Sequence, residues 1–181
     1  MWPIDPRTDA ARLASELAHF SYGILKKVLT QVKEGKLQGI PQNEAEATLA
    51  PQLSKQDGEL SLTTMTAEEI DRKVRGLQSW PGAYCFIKNE RIALLETDLS
   101  LPFPLPKGED FDGEFSRAGQ GEGSIVRPGT LIAIEKEGGI QVATQDGILK
   151  ILKVKPEGKK SMTAADFARG RRFQAGDIIT S

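Results

Sequence analysis

Cationic side chains are concentrated near the end of the sequence, and their spacing suits the binding of phosphate groups. Eight lysines and arginines fall within 23 residues: Lys150, Lys153, Lys155, Lys159, Lys160, Arg169, Arg171 and Arg172. Cations on a strand end, a turn and a helix end can follow the phosphates of a nucleic acid backbone. Few aromatic residues accompany them, which favours contacts to the backbone of a structured RNA over stacking on single-stranded bases. The alternative is a solvated basic face without a partner.

The other reactive side chains exclude several kinds of chemistry. The sequence has one histidine, His19, and one cysteine, Cys85. A single thiol cannot form an internal disulfide, and one imidazole with one thiol cannot build the known zinc motifs, so we expect no bound metal. His19 lies at the edge of an apolar helical stripe, and the paired carboxylates fall in a capping turn and an irregular loop. No group of residues predicts nucleophilic or acid–base catalysis.

The total charge conceals the basic segment. The 24 basic and 25 acidic residues give a net charge of -1, which argues against a protein that binds nucleic acid by overall charge alone. Residues 124–181 nevertheless carry ten basic and six acidic groups, while residues 98–123 carry two and six. The first 30 residues contain no apolar run typical of a signal peptide or a membrane anchor. With the single cysteine, this predicts a reduced, cytoplasmic location without membrane contact.

The first part of the chain is predicted to be a long helix followed by a linker. Leu13, Leu17, Phe20, Ile24, Val28 and Val32 recur at spacings of three and four residues. This spacing predicts one apolar face on a helix of roughly 26 residues that ends near Gly35. We therefore predict three regions: a helical region over residues 1–38, a polar, proline-containing linker over 39–57, and a domain over 58–181 with a long insertion at 98–128.

The last region is predicted to be mainly β with flanking helices (α+β). Thr66 and Glu69 have the spacing of a capping box at a helix start. Five strands follow, at 83–88, 91–97, 130–135, 140–144 and 148–154, with residues 89–90 as a hairpin loop and a helix at 163–171. Five short antiparallel strands favour a closed OB-type barrel, preceded by the long helix and the extended linker. An open half of a sandwich is the alternative.

Alternation along the last strand predicts which way its lysines point. A period of two places Lys150 on one face, with Ile148 and Leu152. It places Lys153 and Lys155 on the opposite face, with Ile151.

Several short motifs resemble the C-terminal half of methionyl-tRNA formyltransferase. In chain order they are Gly35-Lys36-Leu37 with Pro41-Gln42, the run from Ala47 to Gly58, Trp80-Pro81-Gly82-Ala83-Tyr84, Asp146-Gly147-Ile148-Leu149 and Gly158-Lys159-Lys160-Ser161-Met162. The resemblance implies an OB-type barrel that a linker joins to an N-terminal, Rossmann-like catalytic domain, whose last helix the opening helix resembles.

The resemblance also implies partners and site residues. Initiator tRNA would be held by the basic barrel surface while the full enzyme transfers the formyl group of its co-substrate, 10-formyltetrahydrofolate, to the methionine amine. Lys159, Lys160 and the pair Arg171-Arg172 match positions expected to contact RNA. The family's catalytic Asn, His and Asp have no match here, so we expect this chain to bind no cofactor and to be inactive without a separate catalytic domain.

Three departures from the family pattern leave alternatives open. The chain contains no Asn-x-His sequence, it has Thr144-Gln145 before Asp146-Gly147, and its segment 98–128 is long for the family. The alternatives are a non-catalytic binding module, or the barrel of a related formyltransferase that acts on a sugar nucleotide or on formyltetrahydrofolate.

Overall fold

A computed structural model describes residues 4–99, 126–136 and 138–180. The chain divides into two compact units, Met1–Leu53 and Ser54–Ser181. Most of the predicted insertion at 98–128 lies outside the described residues.

The first unit contains the predicted long helix, α1, over Ala10–Lys33. The Asp9 side chain accepts a hydrogen bond from the backbone N–H of Arg12 and caps the helix start. At the other end Gly35 has φ 67°, a left-handed conformation that glycine adopts without steric cost. No residue of α1 is buried, and Phe20 and Leu29 are 48% and 57% exposed. The apolar face of α1 is therefore open to solvent in the described structure.

The second unit is an antiparallel sheet with two helices. Its helices are α2, Ala67–Gly76, and α3, Ala164–Gly170. Its strands are β1 (Tyr84–Ile87), β2 (Glu90–Asp98), β3 (Leu131–Ile134), β4 (Ile140–Ala143), β5 (Ile148–Pro156) and β6 (Met162–Thr163). The order across the sheet is β1-β2-β5-β4-β3, and β6 pairs with β5. The prediction of a mainly β domain with flanking helices is confirmed.

The predicted five-stranded closed barrel is not what the described residues form. They contain six strands, and the edge strands β1 and β3 do not pair with each other. Residues near the C-terminus bridge both edges instead, through Ile87 with Thr180 and Thr130 with Ile178. The prediction assumed that exposed sheet edges are removed only when the two edge strands pair with each other. Here the irregular C-terminal segment covers both edges by forming isolated bridges with them.

The loop between β1 and β2 lies one residue earlier than predicted. Ile87 pairs with Glu90, so the loop is Lys88-Asn89. Both residues have positive φ, 47° and 66°, as a type I′ turn requires. Asparagine tolerates this region better than glutamate does, which explains why Asn89 is within the loop and Glu90 begins the strand.

The predicted start of α2 is confirmed, and a distant residue adds to it. The Thr66 hydroxyl accepts from the Glu69 backbone N–H at 3.1 Å, and the Glu69 carboxylate accepts from the Thr66 N–H at 2.9 Å. The Ala67 N–H donates to Asp146 Oδ1 at 2.9 Å. Asp146, in the β4–β5 turn, therefore ties that turn to the helix start.

Gly58 is predicted to be intolerant of any side chain. A Cβ there would lie 2.1 Å from the backbone oxygen of Gly82, which cannot rotate away. Gly58→Ala should lower the free energy of unfolding by about 3 kcal/mol, at the upper end of overpacking effects, as measured by urea unfolding. Gly76→Ala is the matched control, because its added Cβ meets nothing within 4 Å. Equal stability of the two variants would contradict the prediction.

Candidate nucleic-acid interface

Two irregularities in the pairing of β2 with β5 decide which way the β5 lysines point. The register shifts between Leu94 and Glu96 and again between Glu96 and Thr97. Ile151 is completely buried, yet Lys153, two residues later, is exposed. The prediction that these two residues share a face is therefore wrong. The first shift leaves Leu95 of β2 without a paired residue, and the second leaves Leu152 of β5 without one. The extra residue in β5 breaks the period of two on which the prediction depended.

Beyond the bulges, β5 and the following turn expose four lysines. Lys153 and Lys155 alternate with the buried Val154. The chain then turns at Gly158, whose φ is 71°, and the Lys159 N–H donates to the Pro156 carbonyl oxygen at 3.1 Å. The exposed pair Lys159 and Lys160 lies in this turn, before β6 returns along β5. We call Lys153, Lys155, Lys159 and Lys160 the lysine strip.

Lys150 does not join the lysine strip. Its Nζ lies 2.7 Å from Glu135 Oε2, and the two side chains are only 22% and 20% exposed. Burial acts to raise the pKa of the Glu135 carboxyl, but hydrogen bonds from Gln141 and Lys150 and the charge of Lys150 lower that pKa overall. Lys150 therefore forms an ion pair with Glu135 that keeps the Glu135 carboxyl ionised.

The three arginines at the end of α3 have different surroundings. Arg169 donates to the Glu135 backbone oxygen at 3.2 Å and pairs with Asp166 at 3.1 Å. Arg171 pairs with Glu90, and its guanidinium lies 5.8 Å from the centre of the Phe167 ring. Arg172 is exposed, with φ 58°.

Arg171 and Arg172 line a shallow groove of about 300 Å³ between the end of α3 and the β1–β2 turn. Lys88 contributes a third cation, with its Nζ 5.4 Å from the centre of the Phe173 ring. Glu90 and Asp177 also line the groove. Three cations against two acids leave it basic.

Two residues of the sheet surface were not singled out from the sequence. Arg91 places its guanidinium carbon 3.9 Å from the centre of the Tyr84 ring, and Phe86 is 41% exposed beside that ring. The alternation of the aromatic residues Tyr84 and Phe86 with Cys85 and Ile87 was the available signal in the sequence.

The metal-ligating side chains of the described residues do not cluster, and the one thiol, that of Cys85, is buried. The described residues hold no group of three or more metal-ligating side chains. Burial raises the pKa of the Cys85 thiol to about 12, which keeps it protonated at neutral pH. None of the helices in the described ranges has both the length and the apolar character needed to cross a membrane.

Comparison with known proteins assigns the chain to a family. Residues 52–172 match the family described as "Formyl transferase, C-terminal domain". The chain belongs to this family. It is 33% identical over 175 residues to the methionyl-tRNA formyltransferase of Dictyoglomus turgidum, covering 97% of this chain and 50% of that relative. The corresponding enzyme of Thermodesulfovibrio yellowstonii is 32% identical over 173 residues, covering 96% and 48%. The chain thus spans about half the length of the curated relatives it matches.

Solved structures support the fold. Two variants of HypX from Aquifex aeolicus match with TM-scores of 0.62 and 0.61 at 17% and 18% identity. The matches cover 94% and 99% of this chain, and 26% and 31% of the HypX chains. At this identity the likeness concerns the fold alone.

Most motifs that identify the formyl transferase C-terminal domain here are structural. Asp57 accepts hydrogen bonds from the Ser54 N–H at 2.6 Å and the Ser54 hydroxyl at 2.8 Å, and these bonds lower the pKa of its carboxyl. Gly58 packs against Gly82, and Asp146 caps α2. By contrast, Gly158-Lys159-Lys160 is an exposed turn with two cations. Its two exposed cations suit it to a contact with an anionic macromolecule.

Proposed function

We propose that this chain is the tRNA-binding part of a methionyl-tRNA formyltransferase, which acts on initiator Met-tRNA in translation initiation in the cytoplasm. The observation that carries the proposal is the exposed Gly158-Lys159-Lys160 turn within a chain of this family. Lys153 and Lys155 extend its positive charge along β5. Exposed cations in succession are suited to the regularly spaced phosphates of an RNA backbone.

The predicted site residues divide into two roles in this proposal. The lysine strip, with Arg171 and Arg172, contacts phosphate groups. Lys150 and Arg169 both bind Glu135, one at its carboxylate and the other at its backbone oxygen. They position the sheet edge, and their contribution to RNA binding is indirect.

The proposal also assigns the remaining parts of the chain. Residues 58–181 form an OB-type domain in which the C-terminal segment takes the place of a closing strand pair. Residues 39–57 are a linker, and residues 1–38 provide a helix whose exposed apolar face packs on the catalytic domain. Burial of such a face is favourable by about 25 cal/mol per Å² of apolar surface.

The formyl transfer itself is assigned to the catalytic domain. In the full enzyme the methionine amine attacks the formyl carbon of 10-formyltetrahydrofolate and a new C–N bond forms. The bond to N10 of the folate breaks, and N10 takes up a proton in place of the one that the amine loses. The role of this chain is to hold the tRNA so that the aminoacyl end reaches that centre. Positioning of this kind lowers the entropic cost of bringing two substrates together.

The purified chain is expected to bind initiator tRNA and to transfer no formyl group. The expected lack of formyl transfer follows from the absence of an Asn-x-His sequence and of any second imidazole in this chain. The measurement is transfer of labelled formyl from 10-formyltetrahydrofolate to Met-tRNA, alongside a binding assay with the same tRNA. Turnover above the uncatalysed rate would contradict the inactive assignment, and absence of tRNA binding would contradict the proposed function.

A further inference from the structure

The outer face of β1 and β2 combines an exposed aromatic ring with stacked and charged groups. Tyr84 and Phe86 lie on the same face of β1, with ring centres 5.9 Å apart in an edge-to-face arrangement. Phe86 pairs directly with Arg91 across the hairpin. The Arg91 guanidinium lies over the Tyr84 ring at 3.9 Å, at a distance typical of a cation–π contact. The ring of Phe86 therefore stands beside a fixed cation.

The pairing register connects this face to the lysine strip. Tyr84 pairs with Ala93, and Ala93 pairs with Lys155 on the next strand. Residues directly opposite in antiparallel strands project from the same face of a sheet. With strands about 4.8 Å apart, the Lys155 backbone is about 10 Å from that of Tyr84. The aromatic face and the lysine strip therefore form one surface.

We infer that Phe86 stacks on the base of an unpaired nucleotide, whose flanking phosphates meet Arg91 and Lys155. This inference rests on the proposed function and adds to it a contact with a nucleotide base. Stacking on an exposed ring next to cations is the usual way in which proteins hold unpaired nucleotides. A guanidinium fixed over one ring keeps N–H donors for a phosphate at its edge.

The nearby acids fit this assignment. Tyr84 donates its hydroxyl hydrogen to Glu59 at 3.4 Å, which holds the ring on which Arg91 rests. Glu96 opposes Lys153, one strand away from Phe86. Arg91 pairs directly with Phe86, and Lys155 lies two strands away on the same face, whereas Glu59 and Glu90 are bound by Tyr84 and Arg171. The positive charges favour an anionic partner over a cationic one, and the exposed Phe86 ring beside them favours a nucleotide.

The test uses the full chain and a single-stranded RNA of about a dozen nucleotides that carries 2-aminopurine, a base whose fluorescence is quenched by stacking. Phe86→Ala should weaken binding by about 5- to 150-fold and relieve the quenching. Phe86→Trp should retain both, because the stacking surface is preserved. The salt dependence of binding should not change in either variant, because no phosphate contact is lost. Tyr22→Ala, which removes a ring that is 71% exposed on α1, is the control.

The outcomes separate this inference from the proposed function. If Phe86→Ala binds as wild type while Lys159→Ala/Lys160→Ala binds more weakly, the stacking contact is overturned and the proposed function stands. If Phe86→Trp binds as weakly as Phe86→Ala, stacking is likewise overturned. If the wild-type chain binds neither this RNA nor tRNA, both proposals fail.

Discussion

Arg75→Met is expected to lower the free energy of unfolding by about 3 to 5 kcal/mol. Asp71 on α2 is completely buried, and Arg75 Nε donates to its carboxylate at 2.8 Å. Thr97 on β2 donates a second hydrogen bond to the carboxylate at 2.8 Å. Removing Arg75 takes a positive charge away from a buried carboxylate, and the Thr97 hydroxyl, a neutral donor, does not supply the lost charge.

The same helix provides a matched control. Arg72 and Glu68 form an exposed pair with the same i,i+4 spacing, and their side chains are 62% and 59% exposed. Arg72→Met should therefore cost no more than about 1 kcal/mol, because solvent screens an exposed pair. Urea unfolding of both variants makes the comparison. Similar losses in the two variants would show that the Asp71 pair has no special structural role.

Replacing all four residues of the lysine strip by alanine should weaken tRNA binding by roughly 10²- to 10³-fold at low salt. Each lysine that contacts a phosphate releases a counterion, so the slope of log affinity against log salt should decrease in magnitude by about 0.7 to 0.9 per contact. Four lost contacts correspond to a decrease of about 3. For Lys159→Ala/Lys160→Ala alone, the decrease should be about half as large.

The control for this variant removes the same number of charges elsewhere. Lys26, Lys27, Lys33 and Lys36 are exposed in the first unit. Their replacement by alanine changes the net charge equally but removes no proposed phosphate contact. Equal loss of affinity in the two quadruple variants would mean that net charge, and no particular surface, governs the binding.

Local features of the fold were predictable from the sequence. The capping box of α2 and the apolar period of α1 depend on residues three or four positions apart, which sequence spacing records directly. Asp146 falls between two of the predicted strands, but its bond to Ala67 joins residues 79 positions apart. No local pattern reports such a contact. The edge bridges made by Ile178 and Thr180 were missed for the same reason.

The candidate site shows where alternation fails. Lys153 was assigned to the face of Ile151 because a period of two was extended through β5. The bulges depend on how β5 pairs with β2, and they move Lys153 to the solvent side while Ile151 stays in the core. Lys150 was grouped with its neighbours in sequence, whereas its ion pair with Glu135 follows from the position of the residues after β3. Composition identified the basic segment, and pairing determined which of its cations are exposed.

The salt dependence of initiator tRNA binding by the wild-type chain tests the central claim most directly. The lysine strip with Arg171 and Arg172 supplies six proposed phosphate contacts, so log affinity plotted against log salt should have a slope of about -4 to -5. Fluorescence anisotropy with labelled tRNA between about 50 and 200 mM salt covers the range in which such binding changes steeply. A slope near zero, or no binding at the lowest salt, would contradict the assignment of this surface to tRNA.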